Sequence, residues 1–145
     1  QSCFPAFAPP HLRKRTPITT QAMSYAVPEP FEWCETYDVK HDLINEQHKQ
    51  LFKLINDLAA DVKDASRLTA LLELVQLHFK TEEDLFVEKK WDTEKAAAHK
   101  AIHDKFVADA VAATKDGVSD AIITFLKDWL VTHIMASDMT YVGSI

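Results

Sequence analysis

All six prolines of this 145-residue chain (Pro5, Pro9, Pro10, Pro17, Pro28 and Pro30) lie before Phe31, and the only glycines are Gly117 and Gly143. Proline breaks a helix by removing an N–H donor and clashing with the preceding turn, whereas β-structures draw on glycine and proline for their tight turns. A chain that has neither through almost all of its last four-fifths is poorly suited to a sheet and well suited to long helices. Its length fits one domain with one core, and 47% apolar residues are enough to build that core.

The 3.6-residue period resolves four helical segments. The first runs from about His41 to Val62, with Ile44, His48, Leu51, Ile55, Leu58 and Val62 on one face. The second runs from about Leu68 to Lys89, with Ser66 as its expected N-cap and Leu71, Leu74, Val75, His78, Glu82 and Leu85 aligned. The third starts near Asp92 or Thr93 and reaches about Thr114, aligning His99, His103, Phe106, Val107 and Ala110 before a stop at Lys115-Asp116-Gly117. The fourth starts near Ser119, carries Ile122, Phe125, Leu126, Trp129, Leu130 and His133, and ends before Gly143. Short connections make consecutive helices antiparallel, so the expectation is an all-α, up-down-up-down four-helix bundle preceded by an extended arm over about residues 27–40.

Charge separates the beginning of the chain from the rest. No acid precedes Glu29, while Arg13, Lys14 and Arg15 form a basic cluster; from Met23 onward 22 acids face 13 lysines and arginines, a net −9. Residues 1–22, with His11, read as a leader or upstream extension outside the fold, and 23–145 as the domain. An acidic body argues against nucleic acid as a partner. No apolar run approaches the roughly 20 residues that span a bilayer, so no membrane partner is expected. Cys3 and Cys34 make neither a disulfide framework nor a CxxC site, which points to a reducing, intracellular, cytoplasmic setting.

The apolar stripes are interrupted by histidine on every helix: His48, His78, His99 with His103, and His133. One such histidine is ordinarily a hydrogen-bonded core residue, and the His99/His103 and His78/Glu82 pairs at i,i+4 arise by chance on helices. Five on inward faces, with Glu82 among them, would make a costly interior without a ligand, because buried imidazoles and carboxylates need partners. If the four helices bring them to one height, they form a metal centre. Imidazole and carboxylate without thiolate suit iron, manganese, copper or zinc. Five imidazoles exceed one tetrahedral zinc site, so two ions are implied. If Glu82 and one further carboxylate each bridge both ions, together with one solvent-derived oxygen, a single coordination position of an octahedral pair stays open for a small ligand.

At this point the chain resembles the hemerythrin family over roughly Val27 to Ile145, closest to its monomeric, myohemerythrin type. The resemblance is carried by Pro28-Glu29-Pro30-Phe31-Glu32-Trp33, Glu46-Gln47-His48-Lys49-Gln50-Leu51-Phe52, His78-Phe79-Lys80-Thr81-Glu82-Glu83, His99 with His103, Trp129-Leu130-Val131-Thr132-His133-Ile134 with Asp138, and the closing Tyr141-Val142-Gly143-Ser144-Ile145. It implies that His99, His103 and His133 hold one iron and His48 and His78 the other. Glu82, Asp138 and an oxo or hydroxo group would bridge them, diferrous without O2 and diferric with it. It further implies end-on O2 binding at the two-histidine iron, beside an apolar pocket of Phe79, Trp129 and Leu130, which would otherwise be plain core.

Asp138 lies five residues beyond His133, about 140° away on a regular helix, so the helix is expected to end or loosen between Met135 and Asp138. His41, two turns from His48, is not expected to be a ligand, and Cys34 is given no role. The interval from His103 to His133 resembles that of the monomeric proteins, so a monomer is expected. The functional expectation is reversible O2 binding, for transport or storage, without enzymatic activity. The alternatives are a di-iron oxygen- or peroxide-handling enzyme and a metal or iron storage and detoxification protein.

Overall fold

The computed structural model describes residues 25–145, so the reading of 1–22, including His11 and Cys3, lies outside the described residues. Four helices follow one another: α1 (Asp42–Ala60), α2 (Ala65–Glu88), α3 (Thr93–Thr114) and α4 (Asp120–Ala136), with no strand among the described residues. They form the expected antiparallel four-helix bundle. None of them is long and apolar enough to cross a membrane.

The helix ends refine the sequence reading. The cap of α2 is Asp64, not Ser66: its Oδ1 accepts from the Ser66 amide at 2.9 Å, and the helix begins at Ala65, three residues earlier than expected. Aspartate and serine are both good caps; here the serine hydroxyl instead donates to the same Asp64 oxygen. Val62 falls beyond the end of α1, in the connection to α2. Asp92 caps α3 by accepting from the Lys95 amide at 2.9 Å. Between α3 and α4 the chain turns through Gly117, whose φ of 105° is disfavoured for any side-chain-bearing residue. The α-helical part of α4 stops at Ala136, and Asp138–Tyr141 winds into a tighter 3-10 turn. This is the loosening that the position of Asp138 required.

The arm is less uniformly extended than expected, since Glu35–Tyr37 closes one 3-10 turn. It still packs as an arm. Phe31, Tyr37 and Val39 are buried, and the Phe31 and Phe52 rings stack at 4.5 Å. Asn56 Nδ2 donates to the Phe31 carbonyl at 2.7 Å, and the Asn45 side chain accepts from the Val39 amide and donates to Asp38. These bonds tie the arm to α1.

The core is layered, and the layers can be counted from the histidines. Three residues from His48, His78, His103 and His133 stand the buried side chains of Leu51, Val75, Phe106 and Leu130, one from each helix. The direction of the step alternates along the chain, as an up-down-up-down topology demands. On the opposite side of the same level, Ile44, Glu82, His99 and Asp138 form the next layer, all buried. Phe86, Trp91 and Tyr141 close that end of the bundle, with ring centroids 4.7–6.1 Å apart. Aromatic pairs at such distances add to the apolar area that they bury.

The arm's anchor is testable. Phe31→Ala removes a buried ring and leaves a cavity against Phe52, a class of change that costs about 3–5 kcal/mol. Its denaturant midpoint should drop accordingly; an unchanged midpoint would show that the arm does not stabilise the bundle.

Candidate metal centre

Two consecutive core layers are polar where a bundle interior is normally apolar. α1 contributes His48, α2 His78 and Glu82, α3 His99 and His103, α4 His133, and the 3-10 turn Asp138. None of these side chains is more than 3% exposed. The i,i+4 spacing on α2 and α3 places two side chains of each helix on successive turns of one face. The break after Ala136 rotates Asp138 inward, where a continued helix would turn it away.

All seven residues converge. Ligand atoms of Glu82, His99, His103 and His133 lie within 4.8 Å of one another, and so do those of His48, His78, Glu82 and Asp138. His48, His78, His99, His103 and His133 all turn Nε2 to the centre. Asp138 divides its oxygens between the two groups: Oδ1 is 3.0 Å from His133 and 3.2 Å from His99, and Oδ2 is 3.2 Å from His48. Glu82 presents one oxygen to both groups, its Oε2 being 3.1 Å from His103, 3.5 Å from His99 and 3.7 Å from His78. Its Oε1 accepts a hydrogen bond from the buried Tyr141 hydroxyl. His41, at the N-terminus of α1, belongs to neither group.

These distances are short, yet most of the inward atoms make no hydrogen bond. The Nε2 atoms of His48, His78 and His99, Oε2 of Glu82 and both oxygens of Asp138 are buried without a partner. Orphaned polar atoms of this kind are rare in a folded interior, because each forfeits its hydration. Lone pairs gathered around two common points, and not aimed along donor–acceptor lines, have the arrangement that cations satisfy. The donor set of imidazole nitrogen and carboxylate oxygen fits two iron ions.

Electrostatics point the same way. Burial opposes ionisation of Glu82, but the histidines gathered around it, His78 foremost, hold it well below the usual carboxylate range. Asp138 is likewise held low against its burial and the Glu82 charge, by His133 and His48. Burial also opposes protonation of His133, yet Asp138 and Glu82 raise it to about 9. Burial drives His78 down to about 3 despite Glu82, so its imidazole is held neutral. Metal binding at these nitrogens would compete with protons, because a ligating imidazole must be unprotonated at the bound atom. Burial, with both carboxylates, raises Tyr141 well above the phenol range, so it remains a donor.

The expected pocket residues border the centre in two ways. Phe79 stacks on His103 at 3.8 Å with planes 5° apart, and Trp129 stacks on His133 at 4.4 Å and 12°. Phe79, Trp129 and Leu130 also line a cavity of about 20 Å³, one turn from the histidines, whose other walls include Leu51, Val75 and Phe106. No polar residue lines it.

Three contributors were not singled out from the sequence. Tyr141 holds Glu82, Gln47 accepts from His78 Nδ1 at 3.0 Å, and Glu83 accepts from His103 Nδ1 at 3.2 Å. Gln47 and Glu83 stand next to inward residues, His48 and Glu82, and this adjacency was the one available signal. Tyr141 depends on the 3-10 turn, which no periodicity announces.

Comparison with known proteins agrees with this geometry. The family model described as the hemerythrin HHE cation binding domain matches residues 39–145. A hemerythrin-like protein of Naegleria gruberi is 48% identical over 121 residues, covering 83% of this chain and 98% of that protein. The myohemerythrin of Theromyzon tessulatum is 37% identical over 123 residues, covering 85% of this chain and all of the relative. A solved hemerythrin point mutant superposes with a TM-score of 0.69 at 30% identity, over 77% of this chain and 94% of that one. Seven converging buried side chains on this bundle, and these likenesses over most of its length, establish that the chain belongs to the hemerythrin family.

Proposed function

We propose that the chain binds O2 reversibly at a non-haem di-iron centre held by His48, His78, Glu82, His99, His103, His133 and Asp138, and that it serves as a carrier or store and not as an enzyme. The observation that carries this reading is the pairing of a two-centre ligand cluster with an apolar cavity one turn away. Two ferrous ions would supply the two electrons that O2 binding draws on. The rest is the work of the protein. His99, His103 and His133 serve one ion and His48 and His78 the other, with Asp138 and Glu82 facing both. Phe79 and Trp129 fix the ring planes of His103 and His133. Tyr141, kept protonated, holds Glu82 in place.

The cavity favours carriage over turnover. An enzyme that reduces O2 must deliver protons and release product, which needs an acid or a water route beside the ligand. Phe79, Trp129 and Leu130 present neither, and the cavity that they line is apolar. The 30-residue interval between His103 and His133 supports action as a monomer. The sparse cysteines support an intracellular, cytoplasmic setting.

Reversibility is tested by loading the protein with ferrous iron under anaerobic conditions, admitting O2, and then lowering its pressure while recording the visible spectrum. Carriage predicts an absorption band that rises with O2 and vanishes on its removal over repeated cycles. Irreversible oxidation, or steady consumption of an added reductant, would favour the enzymatic alternative. The ligand set is tested separately by Glu82→Ala, which should lose iron stoichiometry and metal-dependent thermal stability together, because metal binding is coupled to folding. A mutant that kept two irons and an unchanged melting temperature would show the assignment of Glu82 to be wrong.

A further inference from the structure

The outward nitrogens of the histidines distinguish the two halves of the centre. His78 Nδ1 donates to the Gln47 amide oxygen at 3.0 Å. Gln47 is buried, and its Nε2 donates to Thr81 Oγ1 at 3.0 Å, which in turn donates to the Leu77 carbonyl at 2.8 Å. This chain is closed and neutral. His103 Nδ1 faces the Glu83 carboxylate at 3.2 Å instead. Glu83 is partly exposed, and its other oxygen lies 3.7 Å from Lys100, which is itself bonded to Asp104. The Nδ1 atoms of His48 and His133 find no partner among the described residues. Each half therefore has one histidine tied from outside, by an amide in the two-histidine half and by a carboxylate in the three-histidine half.

We propose that Glu83 is a positioning residue for His103 whose charge makes the three-histidine site the more electron-rich half of the centre, while Gln47 orients His78 without adding charge. Both partners fix the same tautomer, with the proton on Nδ1 and the lone pair of Nε2 turned inward. Only a carboxylate also raises the basicity of the imidazole, through a charge-assisted hydrogen bond. A more basic Nε2 stabilises the higher charge state of whatever cation it binds. The Phe79 ring, stacked on His103 at 3.8 Å, resists reorientation of the imidazole, so a change at Glu83 acts through charge more than through ring movement. The inference rests on the di-iron reading but not on reversible O2 binding.

The test is a mediated redox titration of the full chain loaded with two irons, comparing the wild type with Glu83→Gln, Gln47→Glu and Asp104→Asn. Glu83→Gln keeps a hydrogen-bond acceptor and removes the charge. It should favour the reduced form by about tenfold, at the lower end of outer-shell effects, a rise of about 59 mV for a one-electron couple. Gln47→Glu should move the potential downward. Asp104 follows His103 in sequence but its side chain is 64% exposed, so Asp104→Asn removes the same charge without touching the imidazole and should shift the potential far less. In zinc-loaded protein, which has no redox change, the His103 Nδ1 proton resonance should move upfield in Glu83→Gln and stay put in Asp104→Asn. The zinc spectrum also reads the hydrogen bond if a variant holds iron poorly. An unchanged potential in Glu83→Gln with both irons retained, or an equal shift in Asp104→Asn, would overturn the proposal and leave the di-iron reading intact. Failure of the wild type to take up two irons would overturn both.

Discussion

Two buried carboxylates face five imidazoles across the middle of the bundle, and the packing on either side is arranged around them. Each of these groups costs free energy to remove from water, and most of the atoms that point inward have no hydrogen bond to offset that cost. An interior of this kind persists only if something of opposite charge occupies it or if protons partly neutralise it. The raised proton affinity of His133 beside Asp138 and Glu82 is a consequence of that same excess of buried negative charge. Two cations answer the same need more completely, because they satisfy every inward lone pair at once.

The surrounding packing serves that polar level. One turn to one side, Leu51, Val75, Phe106 and Leu130 make a dry layer; on the other side, beyond Glu82, His99 and Asp138, the rings of Phe86, Trp91 and Tyr141 close the bundle. The apolar side leaves a small cavity and the aromatic side supplies one hydroxyl, aimed at Glu82. The two sides therefore differ in kind, an apolar hollow on one and a hydroxyl that orients Glu82 on the other. Stacking of Phe79 and Trp129 on His103 and His133 joins the core to the centre, so that side-chain packing and the geometry of the polar level cannot vary independently.

Much of this architecture is legible in the sequence. The confinement of proline to the first thirty residues, and the 3.6-residue stripes, indicated four helices, and the histidines interrupting those stripes marked the polar level. Their common height was less accessible, since it depends on loop lengths and helix starts to within one turn; the start of α2 moved from Leu68 to Ala65 because Asp64, not Ser66, caps it. Asp138 lay off the helical face and entered only through resemblance to the family, although the break in α4 that it required is present. Tyr141, Gln47 and Glu83 gained roles only in three dimensions. A residue beside an inward one sits about 100° around the helix, and whether it reaches a neighbouring histidine or solvent depends on how closely the next helix packs.

Anomalous diffraction at the iron edge, from crystals of the iron-loaded protein, would locate the ions themselves. A di-iron centre in the polar level should give two strong peaks, one among His99, His103 and His133 and the other between His48 and His78, with Asp138 and Glu82 adjoining both. A single peak, or iron elsewhere on the protein with the polar level unoccupied, would contradict it.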